Sequence, residues 1–162
     1  MAVAGDAPGV FLVDVQSGRA PIELQGHLDY TFALAWHPAG NLLASGNQDC
    51  TTRLWDVRRP GASLAVLPAI MGSVRSCRFS PDGACLAFSE PADFVHVYDV
   101  AGGLCTHQEI DFFGEIAGIA FTPGAEALYV AIPDREYMSA LCYARAAPGG
   151  AEAACEVRLE QV

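Results

Sequence analysis

An all-β fold built from a repeating four-stranded unit is what this sequence predicts, on three observations. Of its 162 residues 52% are apolar, and 16 Gly and 10 Pro are spread between short apolar segments. That is the pattern of many strands joined by tight turns. Charge runs of the kind that favour helices are scarce. The third observation is that two unrelated landmarks recur with one period. An aromatic, a polar residue and a proline turn appear as "WHPAG", "FSPDG" and "FTPGA", with prolines at 38, 81 and 123. An Asp-Val pair closes the alternating runs "FLVDV", "RLWDV" and "HVYDV", with aspartates at 14, 56 and 99. Both series step by 42 or 43 residues, and Asp56 and Asp99 each follow their proline by 18, so unit and phase repeat together.

In chain order, residues 1–25 supply "GVFLVDV" and "PIELQ", which read as the last two strands of a preceding unit. Residues 26–67 hold a full unit, "YTFALAW", "NLLASG", "TTRLWDV" and "SLAVLP", each bounded by Gly, Pro, Asn or Asp. Residues 68–110 hold a degenerate one, "SVRSCRF", "CLAFS", "FVHVYDV" and "LCTHQEI". Residues 111–145 offer "IAGIAF", "ALYVAI" and a weaker "SALCYA"; the repeat phase puts Leu141 where the aspartate belongs, which makes that third strand doubtful. Residues 146–162 are a tail that begins as an Ala, Pro and Gly loop and ends in "CEVRLEQV", which alternates as one final outer strand does. Head-to-tail repetition of small sheets lets each bury its faces against its neighbours, the logic of a radial β-propeller.

The stretch "GHLDYTFALAWHPAGNLLASGNQDCTTRLWDV" resembles a complete WD repeat, with Gly26 and His27 as the Gly-His pair and Trp55 and Asp56 as the Trp-Asp pair. The resemblance implies a WD-repeat β-propeller and a scaffolding role without catalysis or cofactor. It covers residues 26–67 well, persists at strand level to 110 and fades after Asp134. "EPADFVHVYDV" followed by "QEIDFFGEIAGIAFTPGAEALYV" resembles a plant and fungal group of WD-repeat proteins of unknown function. Carried over residue by residue, His27, Ser45, Asp49 and Trp55 would form a structural tetrad, a hydrogen-bonded chain of imidazole, hydroxyl, carboxylate and indole. His27, Asp49 and Ser45 are also the residue types of a hydrolytic triad, but Ser45 lies in no G-x-S-x-G elbow. In the second unit Tyr98 replaces the tryptophan, and Phe88 and Ala92 stand where the serine and aspartate stood. That unit is expected to lack the network, its tyrosine filling the indole's volume against the next blade.

"EIDFFGEI", residues 109–116, is expected to connect two blades, with Phe112 and Phe113 either tucked between them or exposed as a partner contact. Arg58 and Arg59, with Arg53, Arg75 and Arg78, are the nearest thing to a basic surface and a second candidate partner contact. A net charge of -10 works against a nucleic-acid backbone. His37, His96 and His107 share no ligand spacing and read as surface or satisfied histidines, and six cysteines include no C-x-x-C, so no metal is expected. The N-terminal stretch shows no signal peptide, and the longest uncharged stretch is broken by Pro68 and Gly72, which leaves no membrane span. Reduced thiols then fit the cytosol or nucleus. The phase puts the first unit's proline turn ahead of Met1, leaving about three to three and a half blades. Such a propeller is either part of a longer one or is completed by another chain through its open edges. The expected partners are other proteins; the competing expectations are an enzyme or small-molecule binder using the central channel, and a nucleic-acid-associated subunit.

Overall fold

The computed structural model describes residues 1–133, 139–146 and 159–161, and every element in them is a strand. They form four antiparallel sheets. The first contains β1 (Ala2–Gly5), β2 (Ala7–Leu12) and β3 (Ile22–Leu24). The second runs β4 (Thr31–Trp36), β5 (Leu42–Asn47), β6 (Thr51–Asp56) and β7 (Ala65–Pro68). The third runs β8 (Ser76–Phe79), β9 (Cys85–Ser89), β10 (Ala92–Asp99) and β11 (His107–Glu115). The fourth runs β12 (Gly118–Phe121), β13 (Ala127–Ala131), β14 (Ala140–Arg145) and β15 (Leu159–Gln161). Within each sheet the strands lie in chain order, and the first strands β4, β8 and β12 pack against one another on the inner side.

Alternation along each strand explains why four such sheets share one core. On β9, Leu86 and Phe88 point to the second sheet, where they share a cluster with its Ala44, Leu54 and Leu67 and with Val74 and Cys77 from their own side of the interface. Cys85 and Ala87 point the other way, toward Ile119, Leu128 and Val130 of the fourth. A strand walled on both faces is apolar at every position instead of every second one, and β9 is buried along its whole length. Trp55 and Leu43 close the first interface against Val10 and Leu24.

Several expectations are corrected. The leading sheet has three strands, not two, because β1 pairs with β2 through a bulge; its "AVAG" has a single branched residue, Val3, and no aromatic to mark it as a strand. β2 ends at Leu12, and Asp14 turns the chain by accepting from the Gln16 amide at 3.1 Å. The doubtful "SALCYA" is a regular strand, β14, paired with β13 over five residues; burial of Tyr143 holds it without the aspartate. Phe112 and Phe113 lie inside β11, not in a connection, because β10 offers pairing partners as far as Ala92. Tyr98 joins the cluster with the preceding sheet, as Trp55 does, not with the next one. Residues 147–158 of the tail lie outside the described residues.

Candidate functional site

His27 enters on the turn before β4, Ser45 on β5, Asp49 in the turn between β5 and β6, and Trp55 on β6. The structure brings these four side chains together. Trp55 Nε1, which can only donate, reaches Ser45 Oγ at 2.8 Å. Ser45 Oγ lies 2.7 Å from His27 Nε2, so its hydroxyl hydrogen is directed there, and His27 Nδ1 is left to donate to Asp49 Oδ2 at 2.9 Å. Asp49 also accepts from the Leu28 amide at 3.0 Å and from the Thr51 hydroxyl at 2.6 Å. Burial pushes the His27 imidazole below its usual range against the pull of Asp49, which agrees with the neutral tautomer this direction requires. Burial acts to raise Asp49, but hydrogen bonds from Thr51, His27 and Leu28 outweigh it and hold the carboxyl below the carboxylate norm.

Gly26 precedes this chain with φ of 153°, and a Cβ there would meet an Arg53 guanidinium nitrogen at 2.7 Å. The positive φ is what favours glycine in the Gly-His pair, since the end of the Arg53 side chain could shift from a Cβ. Ser45 is 0% exposed and its oxygen is engaged by the indole, so the Ser-His-Asp set presents no nucleophile to a substrate.

The third sheet lacks this network, with Phe88 buried in the serine's place, yet it has a different one that sequence reasoning missed. Glu90, in the turn between β9 and β10, accepts from the amides of Ile70, Met71 and Gly72 at 2.7, 2.9 and 2.6 Å. His96 Nε2 meets the same carboxylate at 2.9 Å, and both side chains are 1% exposed. Burial acts to raise Glu90, and these four donors bring it below the usual carboxylate range. His96 stacks on Phe88 at 4.7 Å between ring centroids, and its Nδ1 has no hydrogen-bond partner among the described residues. It is a core residue rather than a surface one. Glu90 does for the 70–72 loop what Asp49 does for Leu28: a buried carboxylate in a turn holds amides of the loop that enters the sheet. An acidic residue just before Pro91 at a strand end was the available signal. Asn47, also missed, ties Asp29, Thr31 and Asp49 together through its amide.

These turns share one rim, here the upper rim, where the entry loops meet the turns between second and third strands. It carries Leu28 at 83% exposure, Met71 at 73%, and the half-exposed Tyr30 and Ile70. Phe32 stands just inside it, with the Arg75 guanidinium 4.1 Å over its ring. The structure does not bring the candidate partner contacts together. Arg58 and Arg59 lie after β6 on the opposite, lower rim, and Arg58 Nε and Nη2 grip Asp56, each at 2.9 Å. That hydrogen-bonded fork lowers the Asp56 carboxyl to about 2. Phe113 is fully exposed on β11. Of the histidines, His37 Nε2 bonds the Gly83 carbonyl at 3.1 Å across two sheets, and His107 stacks on Tyr98 at 4.9 Å. Among the described residues no group of three His, Cys, Asp or Glu side chains is placed to hold a metal, and no helix is long and apolar enough to cross a membrane.

A family model described as WD domain, G-beta repeat matches residues 18–56, the span that holds all four tetrad residues. The chain carries a WD40 repeat over these residues. A second model, an uncharacterised protein domain (DUF2415), matches residues 72–111, where the Glu90 network replaces the tetrad. Among relatives, THO complex subunit 3 of Arabidopsis thaliana is 31% identical over 118 residues, covering 70% of this WD40 chain and 36% of that protein. The Periodic tryptophan protein 2 homolog of Schizosaccharomyces pombe is 37% identical over 78 residues, covering 48% and 9%. Human WD repeat and SOCS box-containing protein 1 is 36% identical over 74 residues, covering 45% and 18%. The chain thus spans about a third or less of the curated relatives it matches. A chain in a crystal structure of a mitotic checkpoint complex superposes with a TM-score of 0.78 at 20% identity, over 90% of this chain and 45% of that one. At that identity the likeness establishes the β-propeller fold alone.

Proposed function

We propose that this WD40-repeat chain is a non-catalytic scaffold that binds other proteins through its upper rim. One observation carries the reading: the exposed apolar side chains Leu28, Ile70 and Met71 stand on loops whose own amides are held by the buried carboxylates Asp49 and Glu90. Contacts presented on loops already ordered lose less entropy on binding. The tetrad His27, Ser45, Asp49 and Trp55 is structural in this reading, and no cofactor enters it. Relatives named as a complex subunit and a SOCS box protein support a protein partner, as does the net charge of -10 against nucleic acid. Five free cysteines among the described residues support an intracellular, reducing compartment, cytosol or nucleus.

The test is capture of partner proteins from cell extract by the purified chain. Leu28→Asp with Met71→Asp places two charges on the rim without touching a core residue and is expected to abolish stoichiometric capture, while Arg58→Ala with Arg59→Ala leaves it intact. The reverse pattern would move the binding surface to the lower rim.

A further inference from the structure

Strand β11 differs from the other outer strands in length, in its free edge and in what it displays. β3 and β15 have 3 residues each, and β7 has 4 and ends in Pro68; β11 has 9. Short length and proline are two of the ways to blunt an edge, and β11 has neither; its carboxylates and bulge leave an edge that selects its partner by charge. Its register settles which backbone groups are free. The Asp99 amide donates to the Thr106 carbonyl, and the same register continues through Val97 with Gln108 and Val95 with Ile110. In an antiparallel ladder the intervening residues point their N–H and C=O groups the other way. Those of His107, Glu109 and Asp111 therefore face outward, where no strand of the described residues pairs with β11.

The side chains of His107, Glu109, Asp111, Phe113 and Glu115 line the exposed face of this strand. Phe113 is 102% exposed, the most exposed large apolar side chain of the described residues. It is also held in place: β11 bulges where residues 112–114 stand opposite Asp93 alone, and Asp93, at φ of 66°, accepts from the Gly114 amide at 2.8 Å. A bulge of this kind re-aims a side chain.

We propose that the outer edge of β11 docks an extended, basic segment of a partner protein, which adds as a further antiparallel strand. Its alternate side chains set Lys or Arg against Glu109, Asp111 and Glu115 and one apolar residue against Phe113. Three carboxylates with no Lys or Arg on that face select the occupant. A second copy of the same edge would place like charges opposite each other, and a nucleic-acid backbone would meet the same repulsion. This site uses none of the rim side chains Leu28, Ile70 and Met71 and so stands or falls without that reading.

The test uses a fluorescent heptapeptide, Lys-Thr-Val-Thr-Lys-Thr-Lys, and a control in which Glu replaces each Lys, titrated into the chain by anisotropy with amide exchange read alongside. The expected result is saturable binding of the basic peptide that weakens as salt rises, with new protection at the amides of His107, Glu109 and Asp111. Phe113→Ala is expected to weaken binding about tenfold, and Glu109→Gln with Asp111→Asn to remove its salt dependence. Asp111→Pro deletes one outward N–H at an edge position that accepts proline, and is expected to abolish binding while Leu28 amide protection, which reports the tetrad, is unchanged. If Asp111→Pro disturbs the fold, the two exposed-residue variants decide alone. Equal binding of the acidic control, protection confined to the upper rim, or a chain that sediments as a dimer dissolved by Phe113→Ala would each overturn the proposal.

Discussion

Trp55 has a donor and no acceptor, and that asymmetry directs the whole tetrad. Its indole hydrogen occupies Ser45 Oγ, the serine proton turns to His27, and the imidazole proton turns to Asp49. Ser45→Ala removes the middle of the chain and leaves two buried polar groups unpaired, so it is expected to cost about 1–3 kcal/mol in urea unfolding. A loss near zero would show that water replaces the hydroxyl. The acid dependence follows from the same site. Burial keeps His27 neutral in the folded chain below the ordinary value of 6.5, whereas the unfolded chain takes up the proton there. The unfolded state then binds more protons, so this contribution to stability is present above about pH 6.5 and falls as pH drops below it. Asp49, also held below its ordinary value, adds a second loss at more acid pH. Urea midpoints should decline from about pH 7 to pH 5; midpoints that rise on acidification would contradict a neutral His27.

At the scale of the element, equal-length strand units end in unequal ways. The second sheet fixes its entry loop through His27 and Asp49, and the third fixes the 70–72 loop through Glu90 and His96 with no tryptophan or serine. What is common to both is a carboxylate buried in the turn between second and third strands, positioned to accept loop amides. Glu90→Ala is expected to cost roughly 1–3 kcal/mol and to speed exchange of the Ile70, Met71 and Gly72 amides selectively, leaving Leu28 protected. Uniform acceleration across the chain would instead mark Glu90 as a general core residue. His96 keeps a buried Nδ1 with no partner among the described residues even so, and Phe88 covers one face of its ring.

Across the whole molecule, stability resides between sheets. Each interface is one apolar cluster shared by two neighbours, and each inner strand feeds two interfaces by alternation. Leu128, with no exposed surface, joins the fourth sheet to Val95, Val97 and Ile110 of the third, so Leu128→Ala is expected to lose roughly 2–5 kcal/mol. The ion pair from Arg145 to Asp82 crosses the same two sheets at 2.7 Å but is about one-third exposed on either side. Asp82→Asn is therefore expected to change stability by less than about 1 kcal/mol. Thermal unfolding of the two variants should separate them clearly, and a large effect of Asp82→Asn would give the exposed pair a role the packing does not.

The period, the turns and the WD match were legible because they are local: proline turns, an Asp-Val strand end and the Gly-His pair each act within a few residues of themselves. The four tetrad side chains could be named from the sequence because the stretch around them resembles a WD repeat residue by residue. Their hydrogen-bond distances and direction came only from two strands and two turns converging. Little local marked β1, which pairs only because β2 lies alongside, and "SALCYA" read only as a weak, doubtful strand, which Tyr143 and β13 hold in place. Glu90 and His96 are six residues apart with no motif between them, and only folding the 70–72 loop over that turn makes the acid a clasp. The free edge of β11 was equally hidden. Composition names the side chains of a strand, but which of its backbone groups remain unpaired is decided by the register of its neighbour.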